Sequence, residues 1–139
     1  MDYQFENLGD ERFQQFCQAL LTKQFPNIIC FPVGQPDGGR DALLLFDEPK
    51  ANTFAVFQVK FVRKPQVEKE PHKWLLDTVK DELPKIKTLI HRGATKYFLL
   101  TNVAGTAHLD VGSIDKMREL LAKEIPIHSE CWWRDDISR

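Results

Sequence analysis

Hydrophobic and polar positions alternate along the chain in blocks typical of helices and strands. Helical spacing of apolar residues predicts three helices, over residues 10–24, 72–91 and from Ser113 onward. Short apolar runs predict five strands, over residues 28–33, 41–46, 54–62, 96–103 and 127–133. The order is helix, three strands, helix, strand, helix, strand. It predicts an α/β domain with a mixed central sheet flanked by helices on both faces.

Local residue choices add detail at the ends and in the middle of these elements. Asp10 and Ser113 lie where helices begin, so each is expected to cap its helix. Pro84 lies inside the second helix, where its missing N–H predicts a kink or a restart. Residues 34–39 are rich in Gly, Pro and Asp, which predicts a turn before the second strand.

Length and composition describe an ordinary globular domain. The chain has 139 residues, which predicts a single domain, and 42% hydrophobic residues with ten Phe exclude disorder as the dominant state. No apolar run approaches the roughly 20 residues that span a membrane, and the N-terminus lacks a secretory signal pattern. Three cysteines without paired spacing indicate a reducing compartment, and we expect a cytoplasmic protein with no membrane partner.

The charge is balanced overall but unevenly placed. The net charge is −1, yet residues 60–96 contain ten basic and five acidic side chains. A local basic face of this kind can bind phosphates, and Lys64, Lys85 and Lys87 are its candidate contacts. The alternative is a solvated helix face of mixed charge, and the window by itself leaves both interpretations open.

One group of polar residues suggests chemistry. Asp41 opens the second strand, and the third strand carries Gln58 and Lys60 on one face. Folding the hairpin brings the three together, as a carboxylate and an amide oxygen beside a lysine. Oxygen ligands suit Mg²⁺, and the lysine would position a water or offset transition-state charge. Alternatively, Lys60 reaches solvent at the strand end and forms a structural ion pair with Asp41.

These residues carry a resemblance to a known family. The run GQPDGGRD, which ends at Asp41, followed by FQVK over residues 57–60, resembles the PD-(D/E)XK nuclease superfamily. It is most similar to the Mrr-like restriction endonuclease branch, in which Gln often replaces the middle acid. The similarity covers most of the chain, and the order of elements also matches. The resemblance therefore implies a restriction-endonuclease-like core.

The resemblance also implies an activity, a cofactor and site residues. The activity is Mg²⁺-dependent hydrolysis of phosphodiesters in double-stranded DNA, with Mn²⁺ as a possible substitute. Asp41 would bind the metal, Gln58 would be the variant second ligand, and Lys60 would be the catalytic lysine. The family often adds a Glu from the first helix; the aligned position here is Gln14, so Glu11, one turn earlier, is the expected catalytic acid and metal ligand. The alternative for Glu11 is a solvated residue favoured by the helix dipole.

Similar modules often occupy the N-terminus of larger bacterial proteins. We therefore expect residues 1–139 to be a single nuclease-like domain excised from such a protein, with a fused NTPase and sensor region that forms homo-oligomers. The expected role is an effector in antiphage defence. Two alternatives remain: an inactive nuclease-fold module for nucleic-acid binding or oligomerisation, and a structural adaptor in which Asp41 and Lys60 form only an ion pair.

Overall fold

The chain forms four helices and five strands within the part that a computed structural model describes, which is residues 5, 8–32, 40–45, 53–62, 71–105 and 112–137. The elements are α1 Asp10–Gln24, β1 Ile29–Cys30, β2 Ala42–Leu45, β3 Phe54–Lys60, α2 Pro71–His91, β4 Ala94–Thr101, α3 Ser113–Glu124, β5 His128–Trp132 and α4 Arg134–Ile137. This order is the one that the apolar pattern predicts, with a short helix added at the end.

The five strands form one mixed sheet in the order β1-β2-β3-β4-β5. The first three strands are antiparallel, and Ala42 of β2 pairs with Phe57 of β3. The last three are parallel, and α2 and α3 make the two crossover connections that parallel neighbours require. The predicted mixed sheet is therefore confirmed.

Helices cover both faces of the sheet, as the sequence predicts. On one face, α1 buries Phe13 and Cys17 in a cluster with Phe57. On the other, α2 buries Val79 in a cluster with Val56 and residues of α3. Because successive side chains of a strand point to opposite faces, β3 sends Phe57 towards α1 and directs Gln58 and Lys60 to the side of α2.

The helix ends differ from the sequence expectation. Gly9, with φ of 80°, is the N-cap of α1, and Gly112 is the N-cap of α3. Asp10 and Ser113 are the first helical residues, and neither helix has a side-chain cap hydrogen bond, so both predicted caps are wrong. At Gly9 the positive φ favours glycine, whose backbone adopts this conformation at low steric cost. The long helix α2 continues through Pro84, so the expected restart does not occur.

A side-chain clamp fixes the ends of the two central strands. The Val62 N–H donates to Asn102 Oδ1 at 2.9 Å, and Asn102 Nδ2 donates to the Val62 carbonyl at 2.8 Å. Asn102 is fully buried and follows β4, while Val62 lies two residues beyond β3. Since both bonds are made in a buried setting, the clamp holds the end of β3 that carries Lys60.

None of the helices in the described part of the chain combines the length and apolar character needed to cross a bilayer.

Candidate functional site

Asp41 is fixed by its backbone and by its side chain at the start of β2. Its N–H donates to the Phe57 carbonyl at 2.9 Å, and its carboxylate Oδ2 accepts the Val59 N–H at 2.6 Å. Its carbonyl accepts the Phe31 N–H at 3.1 Å and the Gln18 side-chain amide at 3.0 Å. The carboxylate is therefore held against β3, next to the strand positions of Gln58 and Lys60.

Gln58 is buried and has one allowed amide orientation. Its Oε1 accepts the hydroxyl of Tyr97, and its Nε2 donates to Glu82 Oε2 at 3.2 Å. Reversing the amide would place its oxygen against a carboxylate oxygen, so the two partners together define which end is which. Parallel pairing of Val56 with Tyr97 on the neighbouring strand brings the phenol to this position.

The ammonium of Lys60 forms an ion pair with Glu82. The distance from Lys60 Nζ to Glu82 Oε1 is 2.8 Å, and the two side chains are 22% and 13% exposed. Lys85, one helical turn further on, places its Nζ 3.8 Å from Glu82 Oε2. Glu82 therefore lies at the centre of a small polar network that includes both polar residues of β3.

The protonation states follow from this environment. Burial pushes the pKa of Glu82 upward, but the hydrogen bond and charge of Lys60, with Lys85 and Gln58, outweigh it, and the net pKa is lowered. Burial, with smaller repulsive contributions from Cys131, Glu82 and Asp41, raises the pKa of Tyr97 well above its usual value. At neutral pH Glu82 is thus a carboxylate and Tyr97 a neutral donor, which matches the observed hydrogen bonds.

The lowered pKa of Glu82 predicts a pH-dependent contribution to stability. A carboxylate whose pKa is lower in the folded state stabilises the fold above its usual pKa, near 4.5, and loses this effect as the pH falls through the lowered value. The melting temperature of wild type should therefore be higher than that of Glu82→Gln at pH 7. This difference in melting temperature should shrink below pH 4.5. Calorimetry from neutral to acid pH measures it, with the exposed neighbour variant Asp81→Asn as control. A difference that is constant with pH would contradict the assignment.

Of the other predicted site residues, only Lys85 lies beside this network in the described part of the chain. Glu11 is exposed in the first turn of α1, and that helix packs on the opposite face of the sheet from Gln58. Its roles as catalytic acid and metal ligand stay predictions. Lys85 lies beside Glu82, whereas Lys87, two residues on, is exposed and points about 200° away around the helix. Lys64 and the turn residues 34–39 lie outside the described residues.

Two residues of the network, Glu82 and Tyr97, were not singled out by the sequence pattern, and neither was Gln18, which donates to the Asp41 carbonyl. A signal for the first was present, because Glu82 is three residues after Val79 and four before Ile86 and thus falls on the buried stripe of α2. A charged residue on an apolar stripe needs a partner. Tyr97 is indistinguishable in sequence from a core residue.

Within the described ranges, no three His, Cys, Asp or Glu side chains form a cluster suited to a metal ion. A cavity of about 610 Å³ opens elsewhere, between α3 and β5, with Met117, Leu121 and Trp133 among its lining residues. The lining of this cavity does not include Asp41, Gln58, Lys60 or Glu82, so the candidate site lies outside the cavity.

No protein-family model matches the chain, and neither the curated proteins nor the solved structures contain a significant match.

Proposed function

We propose that the protein is a metal-dependent DNA endonuclease that hydrolyses phosphodiesters with Asp41 and Lys60 at its centre. The observation that carries the proposal is the fixed placement of the Asp41 carboxylate against β3. Its Oδ2 accepts the Val59 N–H, in the middle of the Gln58-Val59-Lys60 segment. A carboxylate and a lysine brought together on neighbouring strands are the minimum that the resemblance requires.

The residues fit a weakly held Mg²⁺. This ion usually binds one or two protein carboxylates and keeps several waters or substrate oxygens. Asp41 supplies a carboxylate, which can accept the Val59 N–H and still present lone pairs. Gln58 Oε1 accepts from Tyr97 and has a second lone pair, so its predicted ligand role remains chemically open. DNA phosphate oxygens and water would complete the shell.

The chemistry assigned to the site is ordinary hydrolysis. A water oxygen bonds to phosphorus, one phosphorus–oxygen ester bond breaks, and the leaving oxygen takes up a proton. Bound Mg²⁺ would polarise the phosphate and acidify the attacking water. Lys60, with two of its three N–H donors beyond the bond to Glu82, would stabilise the negative charge that develops on the phosphate oxygens.

A plasmid-cleavage assay tests this proposal directly. Supercoiled DNA should be nicked or linearised with Mg²⁺ or Mn²⁺, and EDTA should stop the reaction. Ca²⁺ serves as the comparison, because it binds similar oxygen sites with looser geometry. The same assay should be run on any longer protein that carries this chain. Intact plasmid with every metal, in both forms, would refute the nuclease assignment.

Basic residues on α2 are proposed to contact the DNA backbone. Each phosphate contact contributes a slope of about −0.9 to the plot of log affinity against log salt. We expect Lys85→Gln, beside Glu82, to make this slope less negative by about 0.9, which is the contribution of one phosphate contact. Lys87→Gln should have the same effect if the whole basic window contacts DNA. Fluorescence anisotropy over a salt series measures the slopes, with the α3 variant Lys123→Gln as control. Affinity that does not depend on salt would contradict a DNA partner.

The second candidate function is a non-catalytic nuclease-fold module. It is favoured by one observation: Glu82 uses one oxygen for Lys60 and the other for Gln58, so the network is satisfied without a metal. On this interpretation the chain binds nucleic acid or a partner but leaves DNA uncut. The cleavage assay separates the two.

Some predictions rest only on the resemblance and the composition. They are a fused NTPase and sensor region, homo-oligomerisation, a defence role and a cytoplasmic location.

A further inference from the structure

The strongest unassigned feature is the position of Glu82 between the two polar side chains of β3. One carboxylate oxygen accepts from Lys60 Nζ at 2.8 Å, and the other accepts from Gln58 Nε2 at 3.2 Å. Glu82 lies on a helix, so the contact comes from a separate element that packs over the sheet.

The hydrogen bonds of the network fix the orientation of each side chain, because the donor and the acceptor of each bond are determined. Tyr97 is buried and neutral, so its hydroxyl donates to Gln58 Oε1 and turns the amide N–H₂ towards α2. A carboxylate has two acceptor oxygens, so it can accept from that amide with one and from the Lys60 ammonium with the other. Glu82 supplies it, and its side chain is only 13% exposed, so water competes weakly for these bonds.

We propose that Glu82 is a positioning residue that holds the Lys60 ammonium and the Gln58 amide in the orientation used for cleavage. The inference rests on the proposed nuclease function. Glu82 acts through Lys60 and Gln58 and does not itself touch the reacting atoms. It uses one donor of Lys60 and leaves two for a phosphate or a water, which limits the directions in which those donors can point.

If Glu82 instead inhibits the enzyme by withholding Lys60 from substrate, the opposite result is expected. Removing an inhibitory contact raises the cleavage rate, whereas removing a positioning residue lowers it. Loss of a residue that orients a neighbouring functional group typically costs about 10- to 100-fold in activity or metal affinity. We therefore expect Glu82→Gln, which keeps the shape and loses the charge, to cut the single-turnover rate by about this factor.

A double-mutant cycle with Lys60→Met tests whether Glu82 acts through the lysine. Single-turnover rates are measured for wild type, both single variants and the double variant, and DNA affinity is measured separately with Ca²⁺. We expect Glu82→Gln to leave affinity unchanged and to cost severalfold less in the Lys60→Met background than in wild type, because only its contact with Gln58 still acts there. Independent losses that multiply, a faster Glu82→Gln, or a loss confined to DNA affinity would each overturn the proposal.

The matched control is Asp81→Asn, which removes the same charge from the adjacent, exposed position of α2. It should cleave at the wild-type rate. If Glu82→Gln fails to fold, Glu82→Asp keeps the charge but is one methylene too short to reach both partners, and its rate is interpreted in the same way. A rate loss in Asp81→Asn equal to that in Glu82→Gln would show a general charge effect and refute positioning.

A readout that does not depend on cleavage separates this inference from the proposed function. Lysine acylation followed by mass spectrometry should label Lys60 more slowly than Lys85 in wild type, because Lys60 is 22% exposed with its Nζ 2.8 Å from Glu82, whereas Lys85 is 59% exposed at 3.8 Å. Labelling of Lys60 should rise severalfold in Glu82→Gln and stay unchanged in Asp81→Asn. Unchanged labelling would refute the hold on Lys60. A wild type that labels as expected but never cuts DNA would refute the nuclease function, and the role in cleavage with it.

Discussion

Lys60→Met should lower the rate of DNA cleavage by about 100- to 1000-fold while the protein remains folded and bound to DNA. Methionine keeps most of the apolar volume of the lysine stem and removes only the ammonium. The ammonium lies 2.8 Å from Glu82 in a partly buried setting, where a preorganised charge acts more strongly than in water. Single-turnover kinetics and calorimetry on the same preparation measure both properties.

The stability cost of this variant should be smaller than the catalytic cost. Glu82 loses one charged partner and keeps the Gln58 amide, with Lys85 nearby at 3.8 Å. Removing a hydrogen bond to a charged group costs about 1.5–3 kcal/mol, and the 22% exposure of Lys60 places the expected value at the low end. The exposed variant Lys123→Met is the control. Early melting with wild-type cleavage by the folded protein would refute the catalytic role of Lys60.

Asp41→Asn should remove metal binding and cleavage and leave the hairpin intact. Asparagine is nearly isosteric, and its side-chain oxygen can still accept the Val59 N–H that Asp41 Oδ2 accepts at 2.6 Å. The negative charge is lost, and loss of a direct ligand should exceed the roughly 10- to 100-fold effects of supporting residues. Titration calorimetry with Mn²⁺ measures binding, and the plasmid assay measures cleavage.

Asp77→Asn provides the matched control, since Asp77 is an exposed acid on α2. It should bind Mn²⁺ as wild type does. Equal Mn²⁺ affinity in wild type and Asp41→Asn would show that Asp41 is not the ligand. Such a result would leave the Asp41 carboxylate with a structural role, as the acceptor of the Val59 N–H, and would favour the non-catalytic module.

Much of the fold was predictable because its elements are encoded locally. Apolar spacing defined α1, α2 and the strands, since each must bury one face or one stripe. The hairpin between β2 and β3 was also predictable in outline, because neighbouring strands with a short connection pair antiparallel. This pairing is what brings Asp41 against the segment of Gln58 and Lys60. The helix caps were not predictable from residue preference alone, because Gly9 and Gly112 took those positions.

The sequence by itself therefore determined the mixed α/β architecture and the placement of Asp41 beside the segment of β3 that carries Gln58 and Lys60. Only the tertiary structure decided what those residues contact. Glu82 is 22 residues beyond Lys60 on another element, and its 2.8 Å contact depends on how α2 packs across the sheet. Tyr97 reaches Gln58 through the register of a parallel strand pair. Local patterns record which face of an element is buried, but the packing of one element on another depends on contacts between residues far apart in sequence.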